Sequence, residues 1–254
     1  MKFTNAIVRK PSKSMVQGLT SANLGSPNYQ NALRQHKSYV AALQSCGVKV
    51  KILDADENYP DSTFVEDVAL LTPHCAIITN PGAPSRRGEI ENMKHVVKDF
   101  YSEIEEIKSP GFIEAGDIMM VGKHYYIGLS ARTNREGAQQ LIHILEKYDL
   151  TGSLVKLEKV LHLKTGLAYL ENNNLVVCGE FLSNTGFQKF NRIEIPEEES
   201  YAANCIWIND KVIIPAGYPL AKQKILDAGY EIIEVDVSEF RKLDGGLSCL
   251  SLRF

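Results

Sequence analysis

The chain has 254 residues, 44% of them hydrophobic and 23% charged, with a formal net charge of −3. That is an ordinary composition for a globular protein, long enough for one big domain or two small ones; it offers no basic patch for nucleic acid, no apolar run near the roughly 18 residues of a membrane span, and no apolar leader. Five cysteines, an odd number with no C-x-x-C and no clustered histidines, read as reduced thiols of a cytoplasmic protein without a structural metal.

Residues 3–9 read as a short strand, and residues 10–27, rich in Ser, Gly, Pro and Asn, as a long loop of the kind that forms a flap or stays disordered. A helix is predicted from Asn28, with Leu33, His36, Val40 and Leu43 on one face and Gly47 as its stop. Residues 48–53 return to strand alternation. The next segments resemble one another. Strands at 65–71 and 75–79 are followed by a helix carrying Ile90, Met93, Val97 and Phe100, then a strand at 103–107. Strands at 115–121 and 125–129 precede a helix capped by Asn134, then a strand at 154–157. Strands at 163–170 and 175–178 lead to a weakly helical stretch, 184–191, and a strand at 193–195. Strands at 203–208 and 211–215 precede a helix at 220–228 and a strand at 230–235.

The unit is therefore ββαβ, repeated. A fifth unit is completed if a C-terminal strand, 248–254, pairs with the N-terminal one and is followed by the helix and strand at 28–53. Each unit alone buries too little, so the expected architecture is a single α/β domain over residues 1–254, a five-bladed pseudo-symmetric propeller closed by the chain ends.

The repeat sets a register. Glu66 and Glu114 stand at the start of successive first strands, 48 positions apart, and a further 48 positions lead to His162. The fourth unit has Ala203-Asn204 there, and the fifth has Cys249, just after Gly245-Gly246. Equivalent positions in a propeller ring its axis, so Glu66-Asp67, Glu114 (with Asp117 nearby), His162 and Cys249 are expected to converge. Arg86 and Arg132 form a second register, 46 positions apart, after the second strands. By contrast Cys75, Cys178 and Cys205 fall in apolar strands, which suits packing, and Cys46 ends a helix. His74 and His124 sit at turns, and His36, His95 and His143 on helices.

A thiol beside an imidazole is an arrangement for covalent catalysis at an electron-poor carbon. Several carboxylates around it suit a guanidinium, whose paired N–H donors match carboxylates fork to fork. The reading is an arginine-like substrate attacked at its guanidinium carbon by Cys249, with His162 as general acid and then general base. Arg86 and Arg132 could hold the carboxylate of a free amino acid. Carboxylates also disfavour a thiolate, so Cys249 is expected to be neutral at rest and to ionise when the cation arrives.

Residues 58–67 (Asn-Tyr-Pro-Asp-Ser-Thr-Phe-Val-Glu-Asp), 85–89 (Ser-Arg-Arg-Gly-Glu), 114–117 (Glu-Ala-Gly-Asp), 131–134 (Ala-Arg-Thr-Asn), 161–167 (Leu-His-Leu-Lys-Thr-Gly-Leu) and 244–251 (Asp-Gly-Gly-Leu-Ser-Cys-Leu-Ser) resemble the dimethylarginine dimethylaminohydrolases, of the guanidino-modifying pentein fold. The resemblance implies hydrolysis of asymmetric dimethylarginine or monomethylarginine to citrulline and an alkylamine, without a cofactor. It implies Cys249 as nucleophile, His162 as proton donor, and Glu114 as the acid that orients His162 and contacts the guanidinium. Asp67, with Glu66, would be the other guanidinium-binding acid, and Arg86 and Arg132 the carboxylate clamps. Asp61 and main-chain groups of Leu19 and Leu243 would meet the α-amino-acid end, and the 10–27 loop would be a lid. Two rivals remain: an arginine deiminase on the same fold, for whose extra helical insertion this chain leaves no room, and a non-catalytic propeller, which has no need of Cys249, His162 and Glu114 together. An open blade edge leaves the pairing of two subunits into a homodimer undecided.

Overall fold

In the computed structural model, which describes residues 2–254, the repeated pattern becomes five three-stranded sheets. In each, one strand lies between an antiparallel and a parallel neighbour. Strand β1 (Asn5–Arg9) leads through helix α1 (Tyr29–Ser45) to β2 (Lys49–Leu53). Asn28 begins α1 as the sequence predicts, its side chain accepting from the Asn31 N–H at 2.9 Å. Then come β3 (Ala69–Leu71), β4 (Ala76–Ile78), α2 (Glu89–Val97) and β5 (Ile104–Glu106). The next unit is β6 (Ile118–Val121), β7 (His124–Leu129), α3 (Arg135–Glu146) and β8 (Thr151–Lys156), with Asn134 capping α3 through the Gly137 N–H.

Strands β9 (Leu167–Tyr169), β10 (Asn174–Val177) and β11 (Asn191–Glu194) form the third hairpin unit. Its expected helix at 184–191 is absent. The 3-10 turns Gly179–Leu182 and Thr185–Phe187 stand in its place. Asn184, Thr185 and Gly186 are poor helix residues, and the tighter turns bury Phe181, Phe187 and Phe190 in one apolar cluster. Strands β12 (Ile206–Ile208) and β13 (Lys211–Pro215) are joined by Asn209-Asp210, both at positive φ as a two-residue hairpin turn requires. Helix α4 (Pro219–Asp227), β14 (Glu231–Val235), a short helix α5 (Ser238–Arg241) absent from the sequence reading, and β15 (Leu252–Arg253) complete the chain.

The apolar clusters bridge successive sheets. Tyr126 and Val155 pack with Leu175 and Val177, Val176 and Ile193 with Val212 and Ile214, and Ile206 and Ile213 with Ala6, Val8 and α1. Ile7 and Leu252 in turn pack with Ala69 and Ile78.

The chain ends pair as the repeat requires, Ala6 opposite Arg253 and Ile7 opposite Leu252, antiparallel. Leu252 is buried, and Arg253 donates to Glu66 and to the Ser248 carbonyl. Truncation after Leu250 removes this pairing, and with it one buried aliphatic side chain and one partner of a buried carboxylate. The expected loss is about 3–5 kcal/mol, so fold and activity should fail together. A truncated protein with an unchanged melting temperature and only slower turnover would contradict this.

Candidate active site

The first strand of each unit starts later than its alternation predicts, because a 3-10 turn occupies its first residues. These turns are Val65–Val68, Ala115–Asp117, Leu163–Thr165, Glu197–Ala203 and Ser248–Leu250. Glu66 and Asp67 lie inside the first, Glu114 and His162 immediately precede the second and third, Asn204 follows the fourth, and Cys249 lies inside the last. The thiol is thus on a tight turn, not on the strand expected from sequence.

The turns bring Asp67, Glu114, His162 and Cys249 together around a cavity of about 200 Å³, walled also by Asp61, Arg86, Arg132, Leu19 and Leu243. His162 Nε2 is 2.9 Å from Glu114 Oε2. Glu114 Oε1 accepts from the Ala83 N–H at 3.0 Å and faces Arg132 Nη1 at 3.4 Å. Two backbone features seat Cys249. A Cβ on Gly245 would come within 2.1 Å of the Phe64 ring, and one on Gly246 within 2.4 Å of Asn204, so only glycine lets the loop pack this closely. Asn204 accepts from the Ser248 N–H and donates to the Lys164 carbonyl, while Tyr39 donates to the Leu247 carbonyl.

Adjacent residues face different cavities. Asp67 and Cys249 open to the cavity just described, whereas Glu66 and Ser248 line a second one of about 150 Å³. Glu66, expected beside Asp67 as a guanidinium-binding acid, accepts instead from Lys164 at 2.6 Å, Arg253 at 3.1 Å and Ser248 at 2.9 Å. Successive residues of a 3-10 turn point about 120° apart, which separates the pair. Lys164, Ser248 and Arg253 were not singled out from sequence, and Asn204 stood there only as the fourth unit's register position, without a role. Their signal is faint, since Lys and Arg near strand ends ordinarily solvate.

The two arginines also differ. Arg86 is buried and largely occupied: Nε and Nη2 donate to Glu89, Nη1 donates to Asp67 at 2.5 Å, and Nη2 donates to the Phe64 carbonyl. Nη1, which meets Asp67 alone, is the nitrogen left with a hydrogen to offer. Arg132 is partly exposed, and among the described residues its guanidinium hydrogen-bonds to Glu114 alone. Of residues 10–27, Leu19, Thr20 and Ser21 line the cavity and hydrogen-bond to its rim. Leu19 N–H donates to Asp61 Oδ1 at 3.0 Å, Thr20 to the Lys242 carbonyl, and Ser21 to Asp244 through both N–H and hydroxyl.

Charge is distributed unevenly. Burial alone would push the Glu114 carboxyl up, but the His162 hydrogen bond and Arg86 outweigh it and hold it near 2. Burial would likewise lower His162, but Asp67, the Glu114 hydrogen bond and Asp117 hold the imidazole up at about 9. Burial, then Glu66 and Asp67, push the Cys249 thiol up to about 12, although the Gly246 N–H and Lys164 oppose this. At neutral pH the pair is a thiol and an imidazolium. Asp67, Glu114 and His162 also place ligand atoms within 4.8 Å of one another. Arg86 and the imidazolium already neutralise these carboxylates, so the donor set is that of an ion-pair network, not an open cation site. Cys75, Cys178 and Cys205 are buried in apolar surroundings, as expected, and so is Cys46.

Comparison with known proteins bears on this constellation. Residues 20–251 match the family model described as N,N dimethylarginine dimethylhydrolase, eukaryotic. The chain is 62% identical over 253 residues to the N(G),N(G)-dimethylarginine dimethylaminohydrolase of Pseudomonas aeruginosa, covering 99% of this chain and 100% of that protein. It is 32% identical over 254 residues to the enzyme of that name from Streptomyces coelicolor, covering 100% and 98%. The structure superposes on the Pseudomonas aeruginosa protein, a C249S mutant complexed with citrulline, with a TM-score of 0.99 at 62% identity over the whole of both chains. It also superposes on a dimethylarginine dimethylaminohydrolase H162G adduct with S-methyl-L-thiocitrulline, with a TM-score of 0.98 at 62% identity, covering 99% and 100%. The N-terminal domain of ArgZ, an arginine dihydrolase from cyanobacteria, shares the fold at 19% identity, with a TM-score of 0.89 and coverage of 100% and 97%.

Proposed function

The chain belongs to the dimethylarginine dimethylaminohydrolase family, and from that premise we propose that it hydrolyses asymmetric dimethylarginine and monomethylarginine to citrulline plus dimethylamine or methylamine. The observation that carries this reading is the convergence of a buried thiol, an imidazolium and two carboxylates on one cavity.

Asp67 and Glu114 receive the substrate guanidinium, Glu114 while still orienting His162. Arg132, together with Arg86 through its remaining Nη1 hydrogen, takes the carboxylate. Asp61 and the main chain at Leu19 and Leu243 meet the α-amino end. The incoming cation stabilises the Cys249 thiolate, whose proton leaves to solvent. Sγ then forms a bond to the guanidinium carbon. As the bond to the methylated nitrogen breaks, His162 delivers its proton and the alkylamine departs, leaving an S-alkylthiouronium on Cys249. Neutral His162 next takes a proton from water as the water oxygen bonds to that carbon. The C–S bond breaks, the thiolate returns, the second proton of the water leaves to solvent, and the carbonyl of citrulline remains. No step requires a cofactor. Glu66 acts from beneath, fixing the turn that carries Cys249 through Ser248.

We read the five sheets as five blades about one axis within a single domain, supported by apolar clusters that bridge successive sheets and by the pairing of the chain ends. Five free thiols fit a cytoplasmic setting. The outer strands β2, β5, β8, β11 and β14 each have one paired neighbour, and a homodimer would use such an edge.

The test is incubation with asymmetric dimethylarginine and, separately, with arginine, assaying citrulline, dimethylamine and ammonia, with Cys249→Ser as control. Citrulline with dimethylamine from the methylated substrate is expected. Citrulline from arginine alone would make the protein a deiminase, and none from either would leave a binding role.

A further inference from the structure

We propose that Asp117 is a positioning residue that holds Glu114, Arg132 and His162 in one arrangement through three hydrogen-bond paths meeting on its carboxylate. The inference rests on the roles given above to those three residues.

Asp117 ends the 3-10 turn Ala115–Asp117 and is wholly buried, at 0% exposure. It does not itself line the cavity, and it meets the lining residue Glu114 through the main chain, its N–H donating to the Glu114 carbonyl at 3.0 Å, so the chemistry does not use it directly. Yet three donors converge on it. Oδ1 accepts from the Leu163 N–H at 2.9 Å, which fixes the backbone directly after His162. Oδ2 accepts from the Thr133 and Ser130 hydroxyls, each at 2.6 Å. Each hydroxyl, its proton committed to Asp117, is left to accept. Thr133 Oγ1 accepts from the Glu114 N–H at 3.2 Å, and Ser130 Oγ accepts from the Arg132 N–H at 2.9 Å. The paths therefore run from the main chain of the orienting acid, of the cavity's open arginine and of the proton donor to one buried anion.

An acceptor-only group is needed there. With three donors aimed at it, a carboxylate satisfies all of them, and hydrogen bonds in series reinforce one another. A carboxamide would confront one hydroxyl with an N–H. The neighbouring residue tightens the seat: a Cβ on Gly116 would lie 2.8 Å from His162 Nδ1 and 2.8 Å from Asp67 Oδ1, so the imidazole packs directly on the turn that Asp117 ends. The Asp117 charge also acts on the ring, adding to Asp67 and Glu114 in outweighing burial and holding His162 protonated.

Asp117→Asn should separate this role from simple support of the fold. In the substrate-free protein, nitrogen-15 spectra of His162 should show its titration moved to lower pH than in the parent, and the alkaline limb of kcat should move with it. By the scale of outer-sphere partners elsewhere, kcat should fall about 10- to 100-fold. A parent-like His162 titration in a folded Asp117→Asn protein would overturn the proposal even if activity were low. Should that variant not fold, Ser130→Ala and Thr133→Val each cut one path and keep the anion. The first should raise KM with kcat retained, and the second should lower kcat with KM retained. Parent kinetics in both would equally overturn it. The imidazole titration needs no substrate, so it can be read even if the assay for dimethylarginine hydrolysis fails.

Discussion

Cys249→Ser is expected to lower citrulline release from dimethylarginine by about 10⁴-fold or more, the scale of removing a nucleophile whose partners act as a unit. The protein should remain folded, because the Gly245-Gly246 turn is held by Asn204 on Ser248, Tyr39 on the Leu247 carbonyl and Tyr201 on the Gly245 carbonyl, and the Gly246 N–H that faces Sγ can donate to the serine hydroxyl instead. Binding of citrulline or dimethylarginine, read by calorimetry, should persist, since Asp67, Glu114 and Arg132 are untouched. Activity within tenfold of the parent would remove Cys249 from the chemistry.

His162→Gly should have the second-largest effect, about 10²–10⁴-fold on kcat with dimethylarginine, because the leaving amine then departs without its proton donor. The loss should depend on the leaving group. S-methyl-L-thiocitrulline releases methanethiolate, which needs no proton to depart, so the variant should still form the Cys249 adduct. Lacking its base for the water step, it should accumulate that adduct, visible by intact mass. An equal loss of adduct formation with both substrates would contradict the assignment. In the parent, the acid form of His162 is the active one, and its pKa is raised to about 9, so it survives neutral pH and is lost as pH rises. A bound guanidinium pulls that value down, placing the falling limb of the kcat profile at or below about pH 9. The limb should vanish in His162→Gly.

Much of the site was legible because the repeat carries it. Residues 48 apart could be assigned to equivalent positions before any contact was known, and Glu114 and His162 do meet, at 2.9 Å. What the spacing could not convey was direction. Glu66 and Asp67 differ by one position, and the 3-10 turn sends one to each cavity. The turns at 65–68, 115–117, 163–165 and 248–250 are only three or four residues long and lead into a strand, so they read as its start. Arg86 matched Arg132 by interval, but its surroundings depend on Glu89, three residues on, and on Asp67, a buried acid that claims one of its nitrogens. The 10–27 segment looked loose by composition, yet Asp61, Lys242 and Asp244, distant in sequence, supply its hydrogen bonds. Short-range pattern located the reactive groups, and long-range pairing decided which of them face the substrate.

The central claim is that the substrate's own charge creates the nucleophile. In the free protein burial, Glu66 and Asp67 push the Cys249 thiol up to about 12, above the imidazolium at about 9, so the reactive thiolate–imidazolium pair is a minor species. A cation seated on Asp67 and Glu114 reverses the unfavourable field. The measurement is ultraviolet titration of the Cys249 thiolate, with Cys249→Ser as blank, without and with a non-hydrolysable amidine or guanidine ligand. The account predicts a neutral thiol through pH 8 in the free protein and a fall of at least about one pH unit when the cation binds. A thiol already ionised at neutral pH, or one whose titration the cation leaves unmoved, would contradict it.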